Sequence, residues 1–241
     1  MASNFIIPDW SAPANVRALV TTRAGGFSQA PWGSFNLGDH VGDDPATVAA
    51  NRRQLRQHLP AAPVWLKQVH GMTCLDAQHA DHQEADATFT RSADVVCAVL
   101  TADCLPLLLC DAAGSVVAAV HAGWRGLAAG VIESTVRTMG VPGEQLLAWL
   151  GPAIGPLHFE VGAEVRETFA TQHPQAAQAF TRHAQGKWRC DIYLLARQRL
   201  AALGIYRIAS ADFCTVRETE RFYSYRRDGV TGRMASLIWL S

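Results

Sequence analysis

Apolar residues fall along this chain in short runs separated by turn-forming clusters, and the spacing within each run predicts an element. From Asp94 to Leu100, the residues Val95, Val96, Cys97 and Val99 make a stretch too short for a helix, the mark of a buried strand. Leu105 to Cys110 and Val116 to Val120 repeat the pattern on either side of Asp111-Ala112-Ala113-Gly114-Ser115, so these two are predicted to pair as a hairpin. Further strands are expected from Val64 to Val69, leading into His70-Gly71, from Leu146 to Leu150, from Tyr206 to Ile208, and from Ser236 to Leu240.

Helices are expected between them. Asp44 reads as an N-cap with Pro45 in the first turn, for a helix reaching about His58. Trp124 to Met139 reads as one helix with Gly140 as its C-cap. Glu164 to about Thr171 and Ile192 to Leu203, closed by Gly204, complete the set. Interleaved helices and strands with at least one antiparallel pair predict an α/β or α+β sandwich around a mixed sheet. With no repeat, linker or low-complexity tract, residues 1–241 are read as a single domain.

Composition changes the picture little. Hydrophobic residues make up 49% and charged residues 17% of the chain, a globular balance. Lys+Arg and Asp+Glu are 21 each, so no general attraction to nucleic acid or an anionic membrane is expected. No stretch reaches the roughly 18 apolar residues of a spanning helix. The opening MASNFIIPDWSAPANVR has no basic segment followed by an apolar one, which argues against a signal peptide and for a cytoplasmic protein. Six cysteines, at positions 74, 97, 104, 110, 190 and 214, form no C-x-x-C pair and read as free thiols of a reducing compartment. The sequence leaves the oligomeric state open.

The candidate chemistry sits around the hairpin. A hairpin symmetric about the Ala112–Ala113 bond sets Cys104 opposite His121, with Cβ atoms roughly 4.5–5.5 Å apart, close enough to share a zinc ion. His70 is the candidate third ligand, because it ends another expected strand beside Gly71 in QVHG. Three protein ligands leave a fourth position open, the pattern of a catalytic zinc. The bland reading makes Cys104 a buried small hydrophobe and the histidines satisfied core residues. A third reading makes Cys104 a thiolate nucleophile with His121 as its base. A competing cluster, His79, His82, Glu84 and Asp86 in QHADHQEAD, lies in a polar stretch that no element is expected to hold.

The motifs QVHG (Gln68 to Gly71), TADC (Thr101 to Cys104), HAGWRG (His121 to Gly126), GPAIGP (Gly151 to Pro156) and YSYRRDGVTGR (Tyr223 to Arg233), with NLGDHVGDDPATVAANR before them, resemble the YfiH/laccase-domain family over nearly the whole chain. Its members carry two names, multicopper polyphenol oxidase and purine nucleoside phosphorylase. The resemblance implies an α/β/α sandwich and zinc on His70, Cys104 and His121. It implies phosphorolysis of adenosine, inosine and methylthioadenosine, with adenosine deamination as a second activity. It also implies, for bacterial members, a part in peptidoglycan editing, which would require amide cleavage.

Deamination requires a proton carrier beside the metal, and Asp103 is the candidate, its other reading being an N–H acceptor in a turn. Phosphorolysis requires an anion site. The N–H groups of Ala122 to Arg125 lead into a helix, and Arg125, Arg52, Arg226, Arg227 and Arg233 are the candidate phosphate ligands, of which one or two are expected to contact substrate. Tyr223, Tyr225 and Trp124 are candidates for stacking a purine, with core packing the expected role of Trp124. Copper also suits a two-His, one-Cys site, but laccase chemistry needs H-x-H pairs, and nine histidines here form none.

Overall fold

The apolar runs become the middle strands of two sheets stacked face to face. A computed structural model describes residues 5–241; Met1 to Asn4, which open the segment read for a signal peptide, lie outside them. In the six-stranded sheet, Arg207–Ser210, Leu146–Leu150, Leu105–Asp111, Val117–Ala122, Ala87–Thr90 and Cys74–Asp76 lie side by side in that order. The five-stranded sheet runs Phe5–Ile6, Val16–Thr21, Met234–Leu240, Val96–Thr101, Pro63–Val64. A small sheet of Glu160–Val161, Trp188–Cys190 and Phe180–Arg182 stands apart. Both large sheets mix parallel and antiparallel pairs.

Alternation along each strand divides the core into layers, because successive side chains point to opposite faces. Leu107 and Leu109 pack with Leu127, Ile132, Phe169 and Leu195 of the helices. Leu108 and Cys110 face the other way and meet Cys97, Val99 and Ile238 of the second sheet. The far side of that sheet, with Val96, Ala98 and Leu237, packs on Leu55 of the helix Pro45–Arg56. The chain is thus an α/β protein with helices on both outer faces, and its central β layer is double.

Several boundaries follow local chemistry. Asp44 caps Pro45–Arg56 by accepting the N–H groups of Ala46 and Thr47. The expected helix from Trp124 to Met139 is two helices, Trp124–Ala129 and Val131–Met139, because Gly130 between them takes a left-handed φ of 99°. Gly140 ends the second, as expected. The expected strand from Val64 to Val69 joins the sheet at Pro63–Val64, and beyond it forms only an isolated parallel bridge between Lys67 and Glu84. Further on, the Gln68 side chain takes over the role of backbone: its Nε2 donates to Leu100 O at 2.8 Å, and Leu100 N donates to its Oε1 at 2.7 Å. That frees the next three residues to turn inward.

The hairpin register also differs from the expected one. Leu105 pairs with Ala122 and Pro106 with His121, so Cys104 lies just outside the ladder. The Asp111 carboxylate is the cause. It accepts the N–H of Ser115 at 2.6 Å and of Val116 at 3.0 Å, and Gly114, at φ 66°, completes a turn centred one residue later than symmetry about Ala112–Ala113 requires. Cys104 then becomes a diagonal neighbour of His121 on the same face, still within reach of it.

Candidate metal centre

Three chain segments deliver one candidate ligand each. His121 lies near the end of the strand Val117–Ala122 and is buried. Cys104 follows a sharp turn at Asp103, whose φ is 91°. His70, at φ 59°, stands at the turn released by Gln68. The nearest ligand atoms of His70, Cys104 and His121 all lie within 4.8 Å of one another. His70 Nε2 is 3.8 Å from Cys104 Sγ. Tetrahedral zinc with ordinary bond lengths separates such a nitrogen and sulfur by about 3.6 Å, so the pair needs almost no rearrangement. Gly123 lines the same cradle: a Cβ there would stand 2.9 Å from His70 Cδ2 and 3.0 Å from Cys104 Sγ. The donor set and the room between its members fit a metal ion.

Asp86 organises the site from behind. Fully buried, it accepts the N–H of His70 at 2.9 Å, of Gly71 at 2.6 Å and of Val69 at 3.2 Å. Its Oδ1 also lies 2.7 Å from His121 Nδ1. One carboxylate therefore holds the strained turn under His70 and turns Nε2 of His121 toward the ligand cluster, the arrangement that carboxylates give metal-bound imidazoles. Burial alone would raise Asp86, but His121 and the N–H groups of Gly71 and Val69 outweigh it and hold the carboxyl below its usual range. The sequence alone groups Asp86 with His79, His82 and Glu84. Those three do not assemble with it: Glu84 pairs with Lys67 at 2.7 Å, and His82 lies beside Asp81.

The ligands also tune each other. Burial alone would raise the Cys104 thiol, yet the imidazoles of His121 and His70 bring it down to about 6. Burial would likewise depress His121, yet the Cys104 sulfur and Asp86 raise it to about 9. A cation entering this pair meets a thiolate ready to bind and displaces a proton from His121.

The centre opens on a cleft of about 300 Å³ lined by His70, Asp103, Cys104, Trp124, Arg125, Ile154, Phe159, Tyr225 and Arg226, among others. Of the five arginines singled out from the sequence, Arg125 and Arg226 line it. Arg125 stacks on Trp124 at 4.4 Å, and Arg226 lies over Phe159 at 5.5 Å. Arg233 bonds to Thr231 O and Gly232 O; burial pulls its guanidinium below its ordinary value against the opposing charges of Cys104, Asp103 and Tyr225. Arg52 stacks on Trp65 at 4.5 Å and pairs with Asp39, and Arg227 is tied to Asp228, Thr215 O and Phe222 O. Neither lines the cleft. Of the aromatics, Tyr225 is exposed at the rim, Trp124 is half-buried between cleft and core, and Tyr223 is core, donating to Trp32 O at 2.6 Å.

Asp103 has both carboxylate oxygens engaged. Oδ1 accepts the Thr215 hydroxyl at 2.5 Å and Oδ2 the Arg226 N–H at 2.7 Å. Its carbonyl accepts Ile154 N–H at 2.9 Å, so it ties three segments of the cleft wall beside Cys104.

Fold and site together define a metal-binding α/β protein whose centre keeps one face open to a substrate-sized cleft. The chain belongs to the multi-copper polyphenol oxidoreductase laccase family, which matches residues 17–241. It is similar to a Pseudomonas aeruginosa protein named purine nucleoside phosphorylase, 56% identical over 237 residues and 98% of either chain. The purine nucleoside phosphorylase YfiH of Escherichia coli is 52% identical over 242 residues, covering 99% of both chains. Among solved structures, a Neisseria meningitidis protein superposes with TM-score 0.97 at 49% identity, over 99% of this chain and 100% of that one. YlmD from Geobacillus stearothermophilus gives 0.93 at 30% identity, over 100% of this chain and 97% of its own.

Proposed function

We propose that the chain is a zinc-dependent purine nucleoside phosphorylase acting on adenosine, inosine and methylthioadenosine. The observation that carries this reading is the opening of a two-His, one-Cys centre onto a cleft walled by two arginines and three aromatic rings. Near full-length relatives named purine nucleoside phosphorylase support it.

In this reading Arg125 and Arg226, backed by the rings of Trp124 and Phe159, hold phosphate against the ribose, and Tyr225 at the rim presents a face on which a purine rests. An oxygen of hydrogen phosphate forms a bond to C1′ as the C1′–N9 bond breaks, and the base leaves with the electron pair and takes up the proton that the phosphate gives up. Arg233 adds positive charge beside the centre. His70, Cys104 and His121 would hold the zinc, which supplies Lewis acidity at its open position. Asp86 keeps His121 oriented. Asp103 holds Thr215, Ile154 and Arg226 in place, and this engagement favours its anchoring role over the proton carriage that adenosine deamination would ask of it. Copper fits the same donors, so metal analysis decides the ion. The six cysteines are all free, which suits a cytoplasmic setting.

A second reading rests on the low pKa of Cys104 beside a raised His121. That pair suits a thiol hydrolase or a peptidoglycan-precursor amidase. Phosphate separates the two. We expect metal-loaded protein to release free base and ribose 1-phosphate from inosine only when phosphate is present, and His121→Ala to lose both metal and turnover. Amide cleavage without phosphate, or full activity in a metal-free His121→Ala protein, would overturn the phosphorylase reading.

A further inference from the structure

A second cleft, of about 510 Å³, lies on the other side of the loop that begins at Gly151, and it holds a thiol and an imidazole that the metal centre does not use. Cys214 Sγ is 3.4 Å from His158 Nδ1. The backbone N–H of Gly155 donates to the same sulfur at 3.3 Å. The imidazole nitrogen stands within reach of the thiol proton, and the N–H points at the sulfur from the other contact. The other cysteines away from the metal centre lack such a setting. Burial pushes the thiols of Cys97 and Cys110 up to about 12 and that of Cys74 up to about 11, and it raises Cys190 further.

Access selects the class of reactant. His158 is exposed, but Cys214 is only 4% exposed, so a bulky acyl substrate cannot reach the sulfur and a molecule the size of water can. Gly155 packs its backbone directly against the sulfur, where a Cβ would stand 3.1 Å from Sγ. Among the described residues no second cysteine lines this cleft, so a disulfide within it cannot form.

We propose that Cys214 and His158 form a peroxide-reactive site, in which hydrogen peroxide entering this cleft oxidises Cys214 to a sulfenic acid. His158 takes the thiol proton. The sulfur then forms a bond to one peroxide oxygen as the O–O bond breaks, and the departing hydroxide recovers the proton from His158. Thiol and peroxide become sulfenic acid and water, with the sulfur oxidised by two electrons. The product lies next to Thr215, whose hydroxyl holds Asp103 beside Cys104, so oxidation here bears on the wall of the metal cleft.

The test exposes metal-loaded protein to hydrogen peroxide for timed intervals, then unfolds it in denaturant containing dimedone, and reads the adduct by peptide mass mapping at all six cysteines. We expect the adduct to form first on Cys214. In His158→Gln, which replaces an exposed side chain, we expect its rate to fall at least about tenfold, a conservative figure for loss of a general base. Unchanged metal content in the variant serves as the folding control. No adduct on Cys214 in the parent protein, or an equal rate in His158→Gln, would overturn the proposal.

Discussion

At the scale of single residues, the candidate ligand trio was legible because each member stands next to a recognisable break: Cys104 before an apolar run, His121 after one, His70 beside Gly71. Asp86 was not legible. It reads as one more polar residue of QHADHQEAD, and its role depends on Val69 to Gly71 folding back onto it, which periodicity does not reveal. The signal that set it apart was slight: alanines flank it, and a strand follows at once. Replacing it with Asn removes the charge that four N–H groups share. Asp86→Asn is therefore expected to weaken metal binding by about 10–100-fold, the usual cost of losing such an outer partner. Competition with a chelator of known affinity measures this, and unchanged affinity would remove Asp86 from the site. The thiol offers a second check. Because the Cys104 pKa is lowered, its thiolate persists above about 6 and is lost as pH falls through that value. An ordinary thiol would lose its charge near 8.5. In metal-free protein, the rate of Cys104 alkylation should stay level from pH 8 to pH 7 and drop below 6; a drop already complete at pH 7 contradicts the coupling to His121.

At the scale of elements, strand and helix identities followed from the pattern of apolar residues, while pairing and breaks followed from single polar or glycine residues acting through geometry. The hairpin strands were plain in the sequence, but their register was set by the Asp111 carboxylate capping two N–H groups. The stretch from Trp124 to Met139 kept a helical spacing of apolar residues throughout, which hid the break at Gly130. That break directs the short helix behind the metal cleft independently of the longer one. Its φ of 99° is one that a Cβ resists. Gly130→Ala is expected to cost roughly 1–2 kcal/mol, read as a lower urea midpoint at unchanged slope. A neutral result would mean that the two helices can merge.

At the scale of the molecule, the α/β class and outer helices were readable, but the doubling of the β layer was not. A strand buried between a helix layer and another sheet is apolar at every position, so the alternation that would distinguish its two faces is erased. Leu108 is fully buried on the face that meets the second sheet. Leu108→Ala is expected to cost about 2–5 kcal/mol in global stability, since neither rigid sheet can collapse into the space it leaves. Chemical denaturation followed by tryptophan fluorescence checks this, and a loss below about 1 kcal/mol would argue against tight packing between the sheets. This stacked arrangement brings three distant segments of chain to one point. Metal-edge X-ray absorption of the purified protein probes that point directly. One sulfur neighbour at about 2.3 Å, two imidazole nitrogens at about 2.0–2.1 Å and one further light atom are the predicted result. A bound metal with no sulfur neighbour, or with four protein ligands and no open position, would contradict it.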